Sequence, residues 1–289
     1  MTRRGLAAGI LILGLAAHLA AAPRRIISIA PSVTEILYGL GVFERVVAVS
    51  EYCTYPPAVK SLPRVGGWHT PNLEKLVALQ PDLVVMTEAQ APFIHEQLQQ
   101  LGIRTLVTPS QTVEDALNAI EAIGRATGKE REASALVAAT RLTLDGVRAR
   151  ARNLPHPAVL CVVDRTPGTL RDLYAATRGS FLTELIETAG GRVVVAQARA
   201  GYGKISKETI LTLNPETVIE LMPGSKGRYA GDPLAAWRDL PELKAVQLGK
   251  VYQVKEDFVP HASQLIARTV VLFARLVHPE VPALEWETK

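Results

Sequence analysis

The chain states one structural unit twice, and that duplication limits what it can fold into. The run Asn72-Leu73-Glu74-Lys75-Leu76-Val77-Ala78-Leu79-Gln80-Pro81-Asp82-Leu83-Val84-Val85-Met86 returns as Ser206-Lys207-Glu208-Thr209-Ile210-Leu211-Thr212-Leu213-Asn214-Pro215-Glu216-Thr217-Val218-Ile219-Glu220. Each copy reads as a polar N-cap, a Glu in the first helical turn, a short apolar helix, a polar-Pro stop and a buried strand. A fainter echo lies upstream of each, Ser32-Val33-Thr34-Glu35-Ile36-Leu37 against Ser180-Phe181-Leu182-Thr183-Glu184-Leu185-Ile186. Two similar units in one chain point to two lobes facing each other across a cleft. Small-molecule ligands preferentially bind in such clefts.

The 289 residues, 48% apolar and 21% charged, suffice for one large core or two modest ones. The first segment stands apart. Arg3-Arg4, the apolar run Leu6 to Ala17 and Ala20-Ala21-Ala22 ahead of Pro23 read as a secretory leader, with an uncleaved membrane anchor as the alternative. No cysteine follows the run, so no lipid-attachment site is expected, and the mature protein is expected to be exported and soluble. The net charge of +4 is dispersed, unlike the clustered basic face that nucleic acid requires. Cys53 and Cys161 are expected to be free thiols, one in a loop and one within an apolar strand.

From Arg24 onward, strand and helix alternate. Ile26 to Ile29, Val46 to Val49, Leu83 to Met86 and Thr105 to Val107 are near-continuous apolar runs, as expected of strands covered on both faces. Ser32 is expected to cap the helix carrying Glu35, and a further helix is expected from about Ala91 to Leu101. From Lys129 to about Arg152, helical spacing of Ala133, Leu136, Val137, Thr140, Leu144 and Val147 predicts a helix of ~23 residues, ~34 Å long. It falls between the repeated units and is the natural rigid connector. After His156, strands are expected at Ala158 to Val163, Val193 to Val195 and Leu248 to Val254, with helices at Ser180 to Ala189 and Ser263 to Val277.

Motifs for chemistry are missing. There is no phosphate-binding loop, no His-Glu-x-x-His, no Cys-x-x-Cys pair and no Gly-x-Ser-x-Gly elbow, and the histidines are dispersed. No metal site, cofactor or enzymatic activity is expected. What the chain has is aromatic residues between its predicted elements. Although aromatics make up only 5% of the sequence, Tyr52, Tyr55, Trp68, Tyr174, Tyr202 and Phe258 all fall in expected turns or loops. Loops at the carboxyl ends of α/β strands form the ligand crevice, and flat rings there suit a large planar ligand. Glu74 and Glu208 each favour a helix dipole by about 0.3–1 kcal/mol. Their recurrence in both units also suits an acidic docking pair for a basic partner.

Arg25-Ile26-Ile27-Ser28-Ile29-Ala30-Pro31-Ser32-Val33-Thr34-Glu35, Val49-Ser50-Glu51-Tyr52-Cys53-Thr54-Tyr55-Pro56-Pro57, Gly66-Gly67-Trp68 and Pro71-Asn72-Leu73-Glu74 resemble the periplasmic cobalamin-binding proteins of vitamin importers. These belong to the helical-backbone class of ABC-transporter substrate-binding proteins, which also carry ferric siderophores and haem. The resemblance spans nearly the whole mature chain and implies an α/β fold. Two Rossmann-like lobes with parallel sheets would be joined by one long backbone helix, with a ligand cleft between them. It implies a leader at 1–22, a first lobe at 23–128, the connector at 129–153 and a second lobe at 154–289. Tyr52, Trp68, Tyr174 and Tyr202 match positions that line the corrin pocket, and Asp257 matches a polar ligand contact. Glu74 and Glu208 match the pair that docks on permease arginines. Two departures stand out. Thr87 replaces a tryptophan, which thins the aromatic cage, and His261 replaces an arginine, which offers a nitrogen for a side-chain amide or a metal centre.

The expectation is thus a monomeric periplasmic protein that captures a corrinoid and hands it to an inner-membrane ABC permease, with haem or a ferric siderophore as the alternative cargo. An exported enzyme with a two-lobed metal site would need converging ligands, and only His69 and His261 lie near the expected cleft.

Overall fold

The computed structural model describes residues 22–196, 201–222 and 234–286. The expected leader, apart from Ala22, lies outside them. The first lobe is built from β1 (Ile26–Ser28), α1 (Pro31–Gly39), β2 (Val46–Val49), α2 (Leu73–Ala78), β3 (Leu83–Thr87), α3 (Ala91–Gln100), β4 (Thr105–Thr108) and α4 (Val113–Thr127). Its four strands lie in the order β2-β1-β3-β4 and all pair in parallel. One face packs Ile26, Leu83 and Val85 under α1 and α4; the other packs Ile27, Val84 and Met86 under α2 and α3. With helices on both faces, β3 is buried along its whole length, which is why its residues are apolar without alternation.

α5 (Glu130–Ala151) follows, 22 residues or about 33 Å of helix. It leans on both lobes. Ala133 and Val137 enter the first-lobe core, while Leu144, Val147 and Ala151 enter that of the second.

The second lobe comprises β5 (Ala158–Asp164), β6 (Tyr174–Ala176), α6 (Phe181–Thr188), β7 (Arg192–Val193), β8 (Tyr202–Lys204), α7 (Lys207–Leu213), β9 (Thr217–Leu221), α8 (Lys244–Gln247), β10 (Val251–Val254) and α9 (Ile266–Val277). β10, β9, β5 and β7 are parallel, whereas β6 and β8 run antiparallel as a ribbon on the sheet edge. This second sheet is therefore mixed, with a parallel centre. Within it Tyr174 and Tyr202 belong to strands and not to loops.

The sequence repeat is a structural one. Asn72 Oδ1 accepts the Lys75 N–H at 2.9 Å, and Ser206 Oγ accepts the Thr209 N–H at 3.2 Å. Such caps stabilise a helix by about 1 kcal/mol each. Leu76 and Ile210, at matching places, are the buried residues of α2 and α7. Burying a side chain of that size contributes about 1.5–3 kcal/mol. Gln80 and Asn214 then take left-handed φ of 47° and 43° ahead of the two prolines, and a strand follows in each copy. The fainter echo holds less closely. Ser180 caps α6, but α1 begins at Pro31 on Ala30 with no side-chain cap, so Ser32 sits inside the first turn. Proline supplies the helical φ there without a donor to satisfy.

α4 is an element the sequence reading passed over. Thr112 and Asp115 form a reciprocal capping box, and Gly128 closes the helix with φ 70°.

Candidate functional site

The carboxyl ends of both sheets carry the expected residues. In the first lobe the chain leaves β2 into a loop pinned by one guanidinium. Arg64 donates to the carbonyls of Ser50 and Cys53 at 2.8 Å and of Val59 at 3.2 Å. The chain then turns at Gly66, whose φ of 100° is open to glycine, and a Cβ there would lie 2.4 Å from the Thr70 carbonyl oxygen. Gly66 and Pro71 pair across this turn, so Trp68 and His69 stand at its tip.

Tyr52 is 57% exposed, and its ring edge lies 3.5 Å from the point a Gly67 Cβ would occupy. His69 meets the Phe93 ring edge-on, centroids 5.0 Å apart, and Phe93 is 40% exposed on the first turn of α3. His69 and Phe93 are thus in ring contact, and Tyr52 lies against the turn that carries Trp68 and His69 at its tip. Phe93 was not read from the sequence as a site residue, although Ala91-Pro92-Phe93 directly after a buried strand marks a helix start at the sheet edge. Thr87 takes no part in the wall. It is buried, and its N–H and hydroxyl both donate to Gln90 Oε1. Tyr55 is also elsewhere, edge-on to Tyr38 at 5.3 Å.

In the second lobe, Tyr174 pairs with Lys204 and Ala176 with Tyr202 across the β6–β8 ribbon, so both tyrosines share one face. Tyr174 is 38% exposed, with Lys204 Nζ 5.6 Å from its ring centroid. Tyr202 is half-buried against the second-lobe core, and burial pushes its phenol well above the ordinary value. Tyr174 is thus the more open of the two rings, while Tyr202 packs on the core.

Asp257 and His261 lie beyond β10. His261 Nδ1 is 2.7 Å from Oε1 of Glu35, a buried carboxylate on α1 of the other lobe. Ser263 Oγ donates to Glu35 Oε2, and Gln264 Nε2 to the Glu35 carbonyl at 2.8 Å. His261 is therefore committed to an inter-lobe bond through one ring nitrogen. No local pattern around His261 marks this partner. Phe258 lies beneath the Arg268 guanidinium at 4.6 Å and packs on the core.

Glu74 and Glu208 occupy the same place in the first turns of α2 and α7, both exposed. The Ser206 hydroxyl beside Glu208 holds its carboxyl below the ordinary range. A second missed feature lies at the carboxyl ends of β5 and β9. The Arg165 guanidinium pairs with Glu220, both out of solvent, and Trp237 Nε1 donates to Glu220 Oε2 at 3.0 Å. Such a network holds strand ends in register, since breaking it strands a buried charge.

Cys53 and Cys161 are buried free thiols in different lobes. Among the described residues no cluster of three or more His, Cys, Asp or Glu is arranged to hold a metal. Two hollows, of about 510 and 520 Å³, lie beside α5 and contain none of the exposed rings or the paired glutamates, although Glu256 and Phe258, the neighbours of Asp257, line the second.

A family of substrate carriers has this architecture. The chain belongs to the periplasmic binding protein family, whose model matches residues 26–258. It is 30% identical to a vitamin B12-binding protein of Vibrio vulnificus over 251 residues, 86% of this chain and 88% of that one. The structure is similar to that of the periplasmic vitamin B12 binding protein of Vibrio cholerae, with TM-score 0.76, 25% identity and coverage of 89% and 98% of the two chains. It also shares the fold of a periplasmic heme binding protein of Pseudomonas aeruginosa, with TM-score 0.75 and 24% identity over 90% and 94%. The protein is a substrate-binding component of ABC transport and not an enzyme. It takes a small-molecule ligand and serves an ABC permease. Among the described residues no helix is long and apolar enough to cross a membrane.

Proposed function

We propose that the protein captures a corrinoid between its lobes and delivers it to an inner-membrane permease, making and breaking no bond. The observation that carries this reading is a cluster of rings at the carboxyl edge of one sheet, with Tyr52, His69 and Phe93 exposed and Trp68 half-buried, and Tyr174 exposed at the edge of the other. Flat faces of this kind match the apolar faces of a macrocycle, and Asp257 and Lys204 match its polar rim. Likeness to two vitamin B12-binding proteins supports the same cargo. Glu74 and Glu208 then seat the loaded carrier on basic side chains of the permease. The protein acts as a periplasmic monomer, exported through a cleaved leader at 1–22, with no resident cofactor.

Haem is the second reading, and His69 is the observation behind it, an exposed imidazole beside Trp68 that could ligate iron. Titration of the mature protein with cyanocobalamin and with haemin, followed by tryptophan fluorescence, separates the two. Saturable one-to-one quenching by cyanocobalamin at micromolar concentration or below supports the corrinoid reading. Quenching by haemin alone, with a Soret shift that vanishes in His69→Ala, replaces it.

A further inference from the structure

The fainter sequence echo has a structural counterpart that cargo capture does not explain. Aligned on their Thr-Glu pairs, Thr34-Glu35 on α1 and Thr183-Glu184 on α6 do the same thing in opposite directions. Each threonine stays in its own lobe. Thr34 Oγ1 is 2.8 Å from Ser28 Oγ and donates to the Ala30 carbonyl, while Thr183 Oγ1 donates to the Thr177 and Ser180 carbonyls. Each glutamate crosses. Glu35 accepts from His261 and Ser263 of the second lobe, and Glu184 Oε2 accepts the Val113 N–H of the first at 2.7 Å. Every lobe gives one carboxylate and receives one.

The two acceptor sites differ in what they hold. Glu184 grips the start of α4, which the Phe181 N–H also binds through the Gln111 carbonyl at 2.6 Å. Glu35 grips the segment that carries both Asp257 and His261. Within that segment the Val259, His261, Ser263 and Leu265 amides bond to Glu256 O, Phe258 O, His261 O and Ser263 Oγ, all local partners. The Ser263 hydroxyl accepts from Leu265 N–H, so its single proton goes to Glu35. Remove that carboxylate and the segment loses two of its bonds to α1, keeping the one from Gln264 Nε2 to the Glu35 carbonyl.

We propose that Glu35 is a positioning residue for cargo, reaching from the first lobe to organise the 257–264 segment of the second before any ligand arrives, with Glu184 as the reciprocal brace that keeps the lobes at one spacing. The role in cargo binding rests on the cleft being the cargo site; the bracing does not. Preorganisation of this kind lowers the ordering cost of binding and shows mainly in the dissociation rate.

The test uses the mature ligand-free protein first. Glu35→Gln puts an amide N–H where one of two donors needs an acceptor. Hydrogen exchange of the 257–264 amides is expected to accelerate at least about tenfold, roughly what one hydrogen bond to a charged group is worth. Glu184→Gln is expected to raise exchange at 111–113 and leave 257–264 alone. Cyanocobalamin should then leave Glu35→Gln roughly tenfold faster. In a double-mutant cycle, Glu35→Gln with His261→Ala should cost no more than the worse single change. Unchanged exchange at 257–264, or additive losses, overturns the proposal. A protein that binds no corrinoid yet shows the exchange pattern retains the brace and refutes only the cargo reading. Should Glu35→Gln not fold, Ser263→Ala removes one of the donors and must raise the same exchange by a smaller factor, or the proposal falls.

Discussion

Gly66→Ala puts the aromatic wall under direct strain. At φ 100° an alanine is forced into backbone that L residues rarely adopt, at a cost of about 1–3 kcal/mol. Its Cβ would also stand 2.4 Å from the Thr70 carbonyl oxygen and 2.8 Å from the Asn72 nitrogen, both backbone atoms. The turn must therefore open, and opening it breaks the bond from Asn72 N–H to the Val65 carbonyl, 2.8 Å in the native fold. Trp68 rides on that turn. If the strain is relieved by releasing the loop, cargo must restore it on binding, and affinity falls roughly five- to 140-fold at 1.4 kcal/mol per decade. Gly67→Ala is the control. Its Cβ would meet Thr70 Oγ1 at 3.3 Å and the Tyr52 ring at 3.5 Å, contacts that small side-chain movements relieve. Cyanocobalamin titration and thermal melting of both variants decide the matter. Large loss in Gly66→Ala with little in Gly67→Ala supports the reasoning; equal affinities for Gly66→Ala and the parent refute it.

Charge reversal at the paired glutamates, Glu74→Lys with Glu208→Lys, should abolish permease-dependent uptake while leaving ligand affinity within about twofold, since exposed charges so placed barely affect the fold; uptake at the parental rate removes the docking role. Burial pushes the Cys161 thiol up to about 12 and also raises that of Cys53. At pH 8 about one Cys161 in 10⁴ is then thiolate, so iodoacetamide should label neither cysteine in the native protein and both after denaturation; rapid native labelling would contradict this. Burial likewise raises the Glu184 carboxyl above its ordinary 4.5, against the Val113 N–H that lowers it. The folded chain keeps that proton to higher pH than the unfolded one, so the group favours folding at acid pH and loses that contribution as pH rises from about 4.5 through its raised value. Glu184→Gln should flatten that part of the stability curve in denaturant titrations; a curve of unchanged slope would show that Glu184 is not perturbed.

Much of the architecture is legible because its determinants are local. A cap, a first-turn glutamate and a polar-Pro stop lie within ten residues of one another, so both copies of the repeat can be read directly. Unbroken apolar runs likewise betray the covered strands. Thr112-Val113-Glu114-Asp115 and Gly128 carried equally local signals for α4, which lay there to be used. The β6–β8 ribbon is harder. Its strands are three residues long, and a half-exposed tyrosine on one looks like a loop residue. The inter-lobe bonds leave no pattern at all. Glu35 and His261 are separated by 226 positions, and only folding shows that a histidine aligned with a ligand contact spends one nitrogen on its neighbour lobe. The buried Arg165–Glu220 pair, 55 positions apart, is hidden for the same reason.

A crystal structure grown with cyanocobalamin tests the central claim most directly. The account predicts one corrin ring in the cleft, one face on Tyr52 and Trp68, the opposite side against Tyr174, and the Glu35–His261 bond intact. A corrin bound on an outer face, or a cleft that stays empty at saturating ligand, would contradict it.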